Sequence, residues 1–213
     1  MDVTIIFQSI QTEVFYCFEN LNLNSGSYDD FSIQLQSSKT WYLADGIISP
    51  KLVPAKTIVA LEPKGTVRDE FQEFDKVLVL RFNMSPWTLE ELSFCQKHIF
   101  PDVPEDIMQA LYFKVGGVPG CIFWRVEISL QYFDPKTPEG KEKIIDKTFE
   151  HVKRAILQVN NFNDLMLCFT ENAHFIQYSS CLVHRWADSS YDNYHLKWAS
   201  RYINDEIEKK LEE

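Results

Sequence analysis

The sequence predicts an α/β protein: a partial, mainly parallel sheet within residues 1–130, followed by a mostly helical region, 131–213, that carries one β element. Three observations predict it. The first 84 residues break into short runs rich in β-branched and aromatic side chains, bounded by Asn, Ser, Gly, Asp or Pro. Three of these runs, Trp41-Tyr42-Leu43-Ala44, Thr57-Ile58-Val59-Ala60-Leu61 and Val77-Leu78-Val79-Leu80, are continuously apolar, the pattern of strands covered on both faces of a parallel sheet. From residue 85 onward the apolar spacing becomes that of amphipathic helices.

In chain order, the strands are expected at 3–7, 13–18, 31–35, 40–44, 57–61 and 77–82. The first helix has a complete start: Thr88 as N-cap, Glu91 three residues on, and Trp87 placed to staple Leu92. Leu92, Cys95 and Ile99 share its face. A second helix begins near Pro104, follows Ile107, Leu111 and Val115, and stops at Gly116-Gly117, where left-handed backbone is cheap. A sharp turn through Val118-Pro119-Gly120 and a strand over 121–126 follow. Thr137-Pro138 opens a long helix with Ile145, Phe149, Val152 and Ile156 as its stripe, ended by Asn160-Asn161-Phe162-Asn163. A β-like run over 174–186 precedes a last helix with Leu196, Ala199, Ile203, Ile207 and Leu211 on one face.

Composition narrows the function classes. Of 213 residues, 45% are hydrophobic and 14% aromatic, enough to build a core. The net charge of −10, with Lys and Arg scattered, disfavours nucleic acid as a partner, because such affinity rests on clustered cations displacing counterions. Five widely spaced cysteines, an odd number in apolar surroundings, read as reduced core thiols. Met1 to Phe7 show no basic stretch before the apolar residues and no small-residue cleavage site, so no secretory leader is expected. No apolar run approaches the roughly 20 residues of a membrane helix.

Five motifs in order carry a family resemblance. Lys39-Thr40-Trp41-Tyr42-Leu43-Ala44-Asp45-Gly46 resembles the Walker B strand of the P-loop NTPase domain shared by Crinkler effectors and retrotransposon-hot-spot proteins. Lys56 to Lys64 resembles the next strand with its exit loop, and Met84-Ser85-Pro86-Trp87-Thr88-Leu89-Glu90-Glu91-Leu92 resembles the family's Trp-Thr/Ser-x-x-Glu-Leu helix start. Phe100-Pro101-Asp102-Val103-Pro104 followed by Val115-Gly116-Gly117-Val118-Pro119 looks like the Gly-Gly-Ile/Val-Pro-Arg turn at its usual distance, and Ala199-Ser200-Arg201-Tyr202-Ile203 resembles a late Ala-Ser-x-Tyr element. Together they span roughly residues 38 to 210, which makes the chain similar to the back half of that domain.

Two departures shape the expected chemistry. A complete domain holds triphosphate with Gly-x-x-x-x-Gly-Lys-Ser/Thr, and these 213 residues contain no such run. Gly120 stands where the family places arginine after Gly-Gly-x-Pro, a side chain suited to phosphate charge. The resemblance therefore implies a degenerate, non-catalytic module acting on a protein partner, with Asp45 as the retained Walker B carboxylate and a magnesium contact. Magnesium and ATP enter only if a phosphate loop comes from elsewhere, in trans or from further N-terminal sequence. The family acts after secretion inside host cells of oomycete and fungal associates, often in the nucleus; without the resemblance the chain reads as cytoplasmic.

The residues leave other chemistry open. Asp45, Glu62 and Lys64 match the carboxylate-then-Glu-x-Lys placement of metal-dependent nucleases, although Pro63 stiffens that stretch into a strand exit. Asp45-Gly46 is also ordinary turn chemistry. Cys95 and His98 lie three apart on a helix but lack further zinc ligands at compatible spacing. His174 and His184 read as structural. Tyr191, Tyr194, Trp198 and Tyr202 form either a partner-anchoring patch or core, with core the default at helical spacing. The acidic end, Asp205 to Glu213, reads as a fraying solvated helix face.

Overall fold

The computed structural model describes residues 3–9, 14–46, 50–60, 80–170 and 179–212. The chain divides into two compact units, residues 1–80 and 81–213. The boundary expected at residue 130 coincides with the end of a helix, Arg125–Leu130, inside the second unit.

The first unit is a mixed five-stranded sheet. Its strands are β1 (Ile5–Ser9), β2 (Phe15–Glu19), β3 (Asn22–Gly26), β4 (Trp41–Asp45) and β5 (Lys56–Ala60), in the order β3-β2-β1-β4-β5. β1, β4 and β5 run parallel, with Ser9, Asp45 and Ala60 in register at their C-terminal ends. β2 and β3 add an antiparallel ribbon. The β2–β3 connection is only Asn20-Leu21, both at positive φ (51° and 64°), as a two-residue hairpin turn demands.

Three expectations change here. Residues 31–35 are not a strand: Asp29–Phe31 is a 3₁₀ turn leading into α1 (Ser32–Leu35). Phe31 and Leu35, four apart, are both buried, so helical spacing onto the core outweighs β propensity. The apolar runs in β4 and β5 are not covered on both faces either. Tyr42 and Ala44 point inward while Trp41 is exposed, and Ile58 in β5 is 52% exposed. The run at 77–82 lies partly outside the described residues, and Leu80 to Phe82 form no strand. The core is Ile6, Phe15, Cys17, Phe31, Leu35 and Tyr42, with Phe15 stacked on Tyr42 at 6.1 Å.

The second unit is mostly helical. α2 (Leu89–His98) begins with the expected capping box: Thr88 Oγ1 accepts from the Glu91 amide at 3.2 Å, and the Glu91 carboxylate accepts from the Thr88 amide at 2.7 Å. Trp87 and Leu92 meet the same core. α3 (Glu105–Val115) stops at Gly116 as expected. Residues 121–126 do not form a strand. Pro119 already has helical dihedrals, a π-helical turn covers Gly120–Trp124, and α4 (Arg125–Leu130) continues it. Ile122 and Val126, four apart, are fully buried beside Phe123, so this apolar run is a buried helix face that period alone does not separate from a strand.

α5 (Pro138–Gln158) is capped by Thr137 Oγ1 accepting from the Gly140 amide at 3.0 Å. Its inner face centres on Ile144 and on Phe149, Val152 and Ile156; Ile145 is only partly buried. α6 (Phe162–Cys168) starts where the sequence suggested only an ending, because Asn161 caps it through the Asp164 amide at 3.0 Å. Within the β-like run 174–186, residues 174–178 lie outside the described set, α7 (Ser179–Leu182) is helical, and β6 (Val183–Ala187) begins only afterwards. β7 (Tyr194–Trp198) pairs antiparallel with β6. Leu196 is therefore on a strand, and α8 is confined to Arg201–Glu212. No described helix is long and apolar enough to cross a membrane.

α8 is tied down rather than fraying. Ile203 and Ile207 are buried. The Lys210 ammonium donates to the carbonyls of Ile156, Leu157 and Val159 at 3.2, 2.6 and 2.7 Å, at the C-terminal end of α5, where the helix dipole favours a cation.

Candidate functional site

Asp45 is the last residue of β4, the middle strand of the parallel trio, with Ser9 and Ala60 beside it in register. Gly46 then takes φ 68° and its amide donates to the Ala60 carbonyl at 2.9 Å. Open α/β sheets bind ligands at such strand ends. Asp45 is exposed there. Glu62 and Lys64, its expected nuclease companions, lie outside the described residues. Among the described residues no group of three His, Cys, Asp or Glu side chains could hold a metal. Among the described residues Asp45 stands without companion ligands grouped for a metal, whereas magnesium nucleotide needs oxygens from several groups.

Other candidates separate. Cys95 is buried, whereas His98 is exposed and packs at a tilt against Phe94, ring centroids 4.3 Å apart, so the two do not face one metal. The four aromatics near the end of the chain also disperse. Tyr191 occupies the β6–β7 turn, Trp198 meets Phe169 edge-on at 4.9 Å, and Tyr202 meets Phe149 edge-on at 5.4 Å. Tyr194 lies under the Arg185 guanidinium at 4.4 Å.

The turn motif is where the second unit's motifs meet. Gly116 adopts φ 75°, ψ −170°, a region essentially reserved for glycine. A Cβ there would stand 2.2 Å from the Ala199 carbonyl oxygen, and one on Gly117 would stand 1.8 Å from the Trp87 oxygen. The Trp87 amide donates to the Gly117 carbonyl at 2.8 Å. Ser200 completes the knot: its hydroxyl donates to the Lys114 carbonyl at 2.7 Å and accepts from the Ile203 amide at 3.2 Å, fastening the end of α3 to the start of α8. His184 is buried with its ring carbon 3.2 Å from the site of a Gly116 Cβ. Three sequence-distant segments, around 87, 116 and 199, thus close on backbone contacts that tolerate no side chain.

Gly120 differs. A Cβ added there meets nothing within 4 Å, and its neighbour Pro119 is helical. Gly120→Arg, the residue the resemblance implies, is therefore expected to fit and to raise stability by about 0.5–1 kcal/mol through helix propensity. Urea denaturation checks this; a loss of stability would mean the turn needs glycine.

An open groove of about 760 Å³ borders the knot, lined by Gly116, Gly117 and Ala199 together with Tyr112, Phe169, Trp186 and Trp198. That size is typical of ligand sites. Among the described residues its charged lining is Lys197 and Arg201, the latter 3.7 Å from the Asp205 carboxylate, on a chain of net charge −10. Lys197 sits over the Trp186 ring at 5.4 Å. The Trp186 indole N–H is buried with no acceptor among the described residues. Sequence reasoning named Gly116, Gly117, Trp198 and the Ala199-Ser200-Arg201 element but missed Tyr112, Phe169, Trp186 and Lys197. The alternation on β7 sends Leu196 and Trp198 to one face of the hairpin and Lys197 to the other, the face it shares with Trp186. Comparison with protein-family models, curated proteins and solved structures returns no match for the chain.

Proposed function

We propose that the chain is a Crinkler-like module, related to P-loop NTPases through a partial sheet, that works by binding a protein segment rather than by turning over nucleotide. The groove beside the Gly-Gly turn carries the reading. Its described lining holds five aromatic residues, Tyr112, Phe113, Phe169, Trp186 and Trp198, and two cations without a carboxylate, a lining complementary to an acidic segment that inserts an apolar side chain. Extended polyanions would meet the rest of a −10 surface, whereas a short segment meets only the groove. The parallel trio β1-β4-β5 with Asp45 at its C-terminal end supports the relation to P-loop folds. Within that reading its place of action is a host cell.

One observation favours a second reading: Asp45 stands exposed at a strand end, where a phosphate loop supplied by another chain would complete a nucleotide site. A single titration separates the two. Trp186 and Trp198 line the groove, so intrinsic fluorescence should respond saturably, in the micromolar range, to a short Asp/Glu-rich peptide with a central leucine or phenylalanine. Magnesium–ATP should leave it unchanged and unhydrolysed. No response to the peptide would defeat the proposal, and tight magnesium-dependent ATP binding would install the second reading.

A further inference from the structure

Cys121 is the second residue of the π-helical turn Gly120–Trp124 and is half-buried. Its Sγ lies 3.6 Å from Nε2 of His151, on α5. The other ring nitrogen, Nδ1, lies 2.9 Å from the Thr148 carbonyl oxygen. A carbonyl only accepts, so Nδ1 carries the proton. Burial, and secondarily the Arg125 charge, hold the imidazole below its ordinary range, which keeps the ring neutral. A neutral ring protonated on Nδ1 presents a bare lone pair at Nε2, and Cys121 is the donor facing it. Nucleophile, base and a group orienting the base therefore stand in a row. Thr148, 1% exposed, also holds a hydroxyl with no hydrogen-bond partner among the described residues.

Burial pushes the Cys121 thiol up, while Arg125, four residues on, draws it down through charge and a hydrogen bond. The upward push dominates, so the resting pair is thiol and imidazole rather than an ion pair. Such a thiol reacts through general-base assistance, not through a standing thiolate population. Cys17, Cys95 and Cys168 are buried, and the Cys168 thiol is pushed up to about 11.

We propose that Cys121, with His151 as its base, is a peroxide-reactive thiol and hence a modification site independent of the groove. The Cys121 proton passes to His151 Nε2 as Sγ attacks one peroxide oxygen. The S–O bond forms, the O–O bond breaks, and the departing hydroxide takes the proton back from Nε2 to leave as water. Sulfur is oxidised to the sulfenic acid and hydrogen peroxide is reduced. A molecule of two heavy atoms suits a half-buried sulfur.

The test treats the whole chain with hydrogen peroxide, traps sulfenic acid with dimedone and follows each cysteine by mass spectrometry from about pH 6.5 to 9, the window in which a free thiol's ionisation rises steeply. Cys121 should be labelled first. Its rate should be nearly level across that window, since the neutral imidazole does the work, and His151→Gln should slow it on the order of 10²-fold at pH 7 and restore a roughly tenfold rise per pH unit. A tenfold rise per unit in the unaltered chain overturns the proposal even if the variant does not fold. So does labelling of Cys181, also half-buried, ahead of Cys121.

Discussion

Gly117→Ala is expected to destabilise the second unit by about 3 kcal/mol or more, seen as an early loss of tryptophan fluorescence in urea. The new Cβ would stand 1.8 Å from the Trp87 oxygen and 2.8 Å from both the Trp87 amide nitrogen and its carbonyl carbon. None of these is a side-chain tip that can swing away. Relief requires moving the strand of chain that enters α2, which breaks the Trp87–Gly117 hydrogen bond and pulls on the capping box at Thr88. Gly120→Ala is the matched control, because its Cβ enters open space and should stabilise slightly. Equal behaviour of the two variants would show that the turn yields more readily than its contacts imply.

Phe149→Ala should cost about 3–5 kcal/mol. The ring is 1% exposed, lies edge-on to Tyr202 at 5.4 Å and carries the Lys114 ammonium over its face at 5.1 Å. Lys114 also faces the Tyr202 ring at 4.5 Å, so one aromatic side chain joins α5 to α3 and α8. Truncation removes the packed volume and leaves that cation without half of its π contact. Phe149→Leu, which keeps most of the volume, should cost about 1 kcal/mol. Denaturation midpoints for the pair check the difference; similar losses for both would place the energy in the aromatic contacts rather than in the filled space.

What the sequence revealed follows from where its signals are local. Thr88 to Glu91, Thr137-Pro138 and the Gly116 stop are written into neighbouring residues, because caps and glycine dihedrals act within one turn of helix. All three formed as expected. The misread segments, 31–35 and 121–126, are short apolar stretches whose conformation is decided by the partner they pack on. Ile122 and Val126 look like strand residues until the helices that bury them are known. β3 escaped notice because Asn22 to Gly26 has little β propensity and Leu21 is an unusual residue for a left-handed turn.

The candidate site was legible only as separate motifs. Nothing in the residues near 87, 116 or 199 says that they touch, and the groove exists because they do. Trp186 and Trp198 come from opposite strands of a hairpin whose register the sequence left open. Cys121 and His151 are thirty residues apart, on elements of which one was expected to be a strand. Their pairing depends on Cys121 being helical.

The groove and its charge carry the proposed function. Lys197→Glu with Arg201→Glu reverses both cations, and a carboxylate at the first residue of α8 suits a helix N-terminus, so the fold should hold. Titrated with the acidic, apolar-anchored peptide, this double variant should bind at least about tenfold more weakly than the unaltered chain and should gain affinity for the Lys/Arg counterpart of that peptide. Unchanged affinity for the acidic peptide, with the fold intact, would contradict the account.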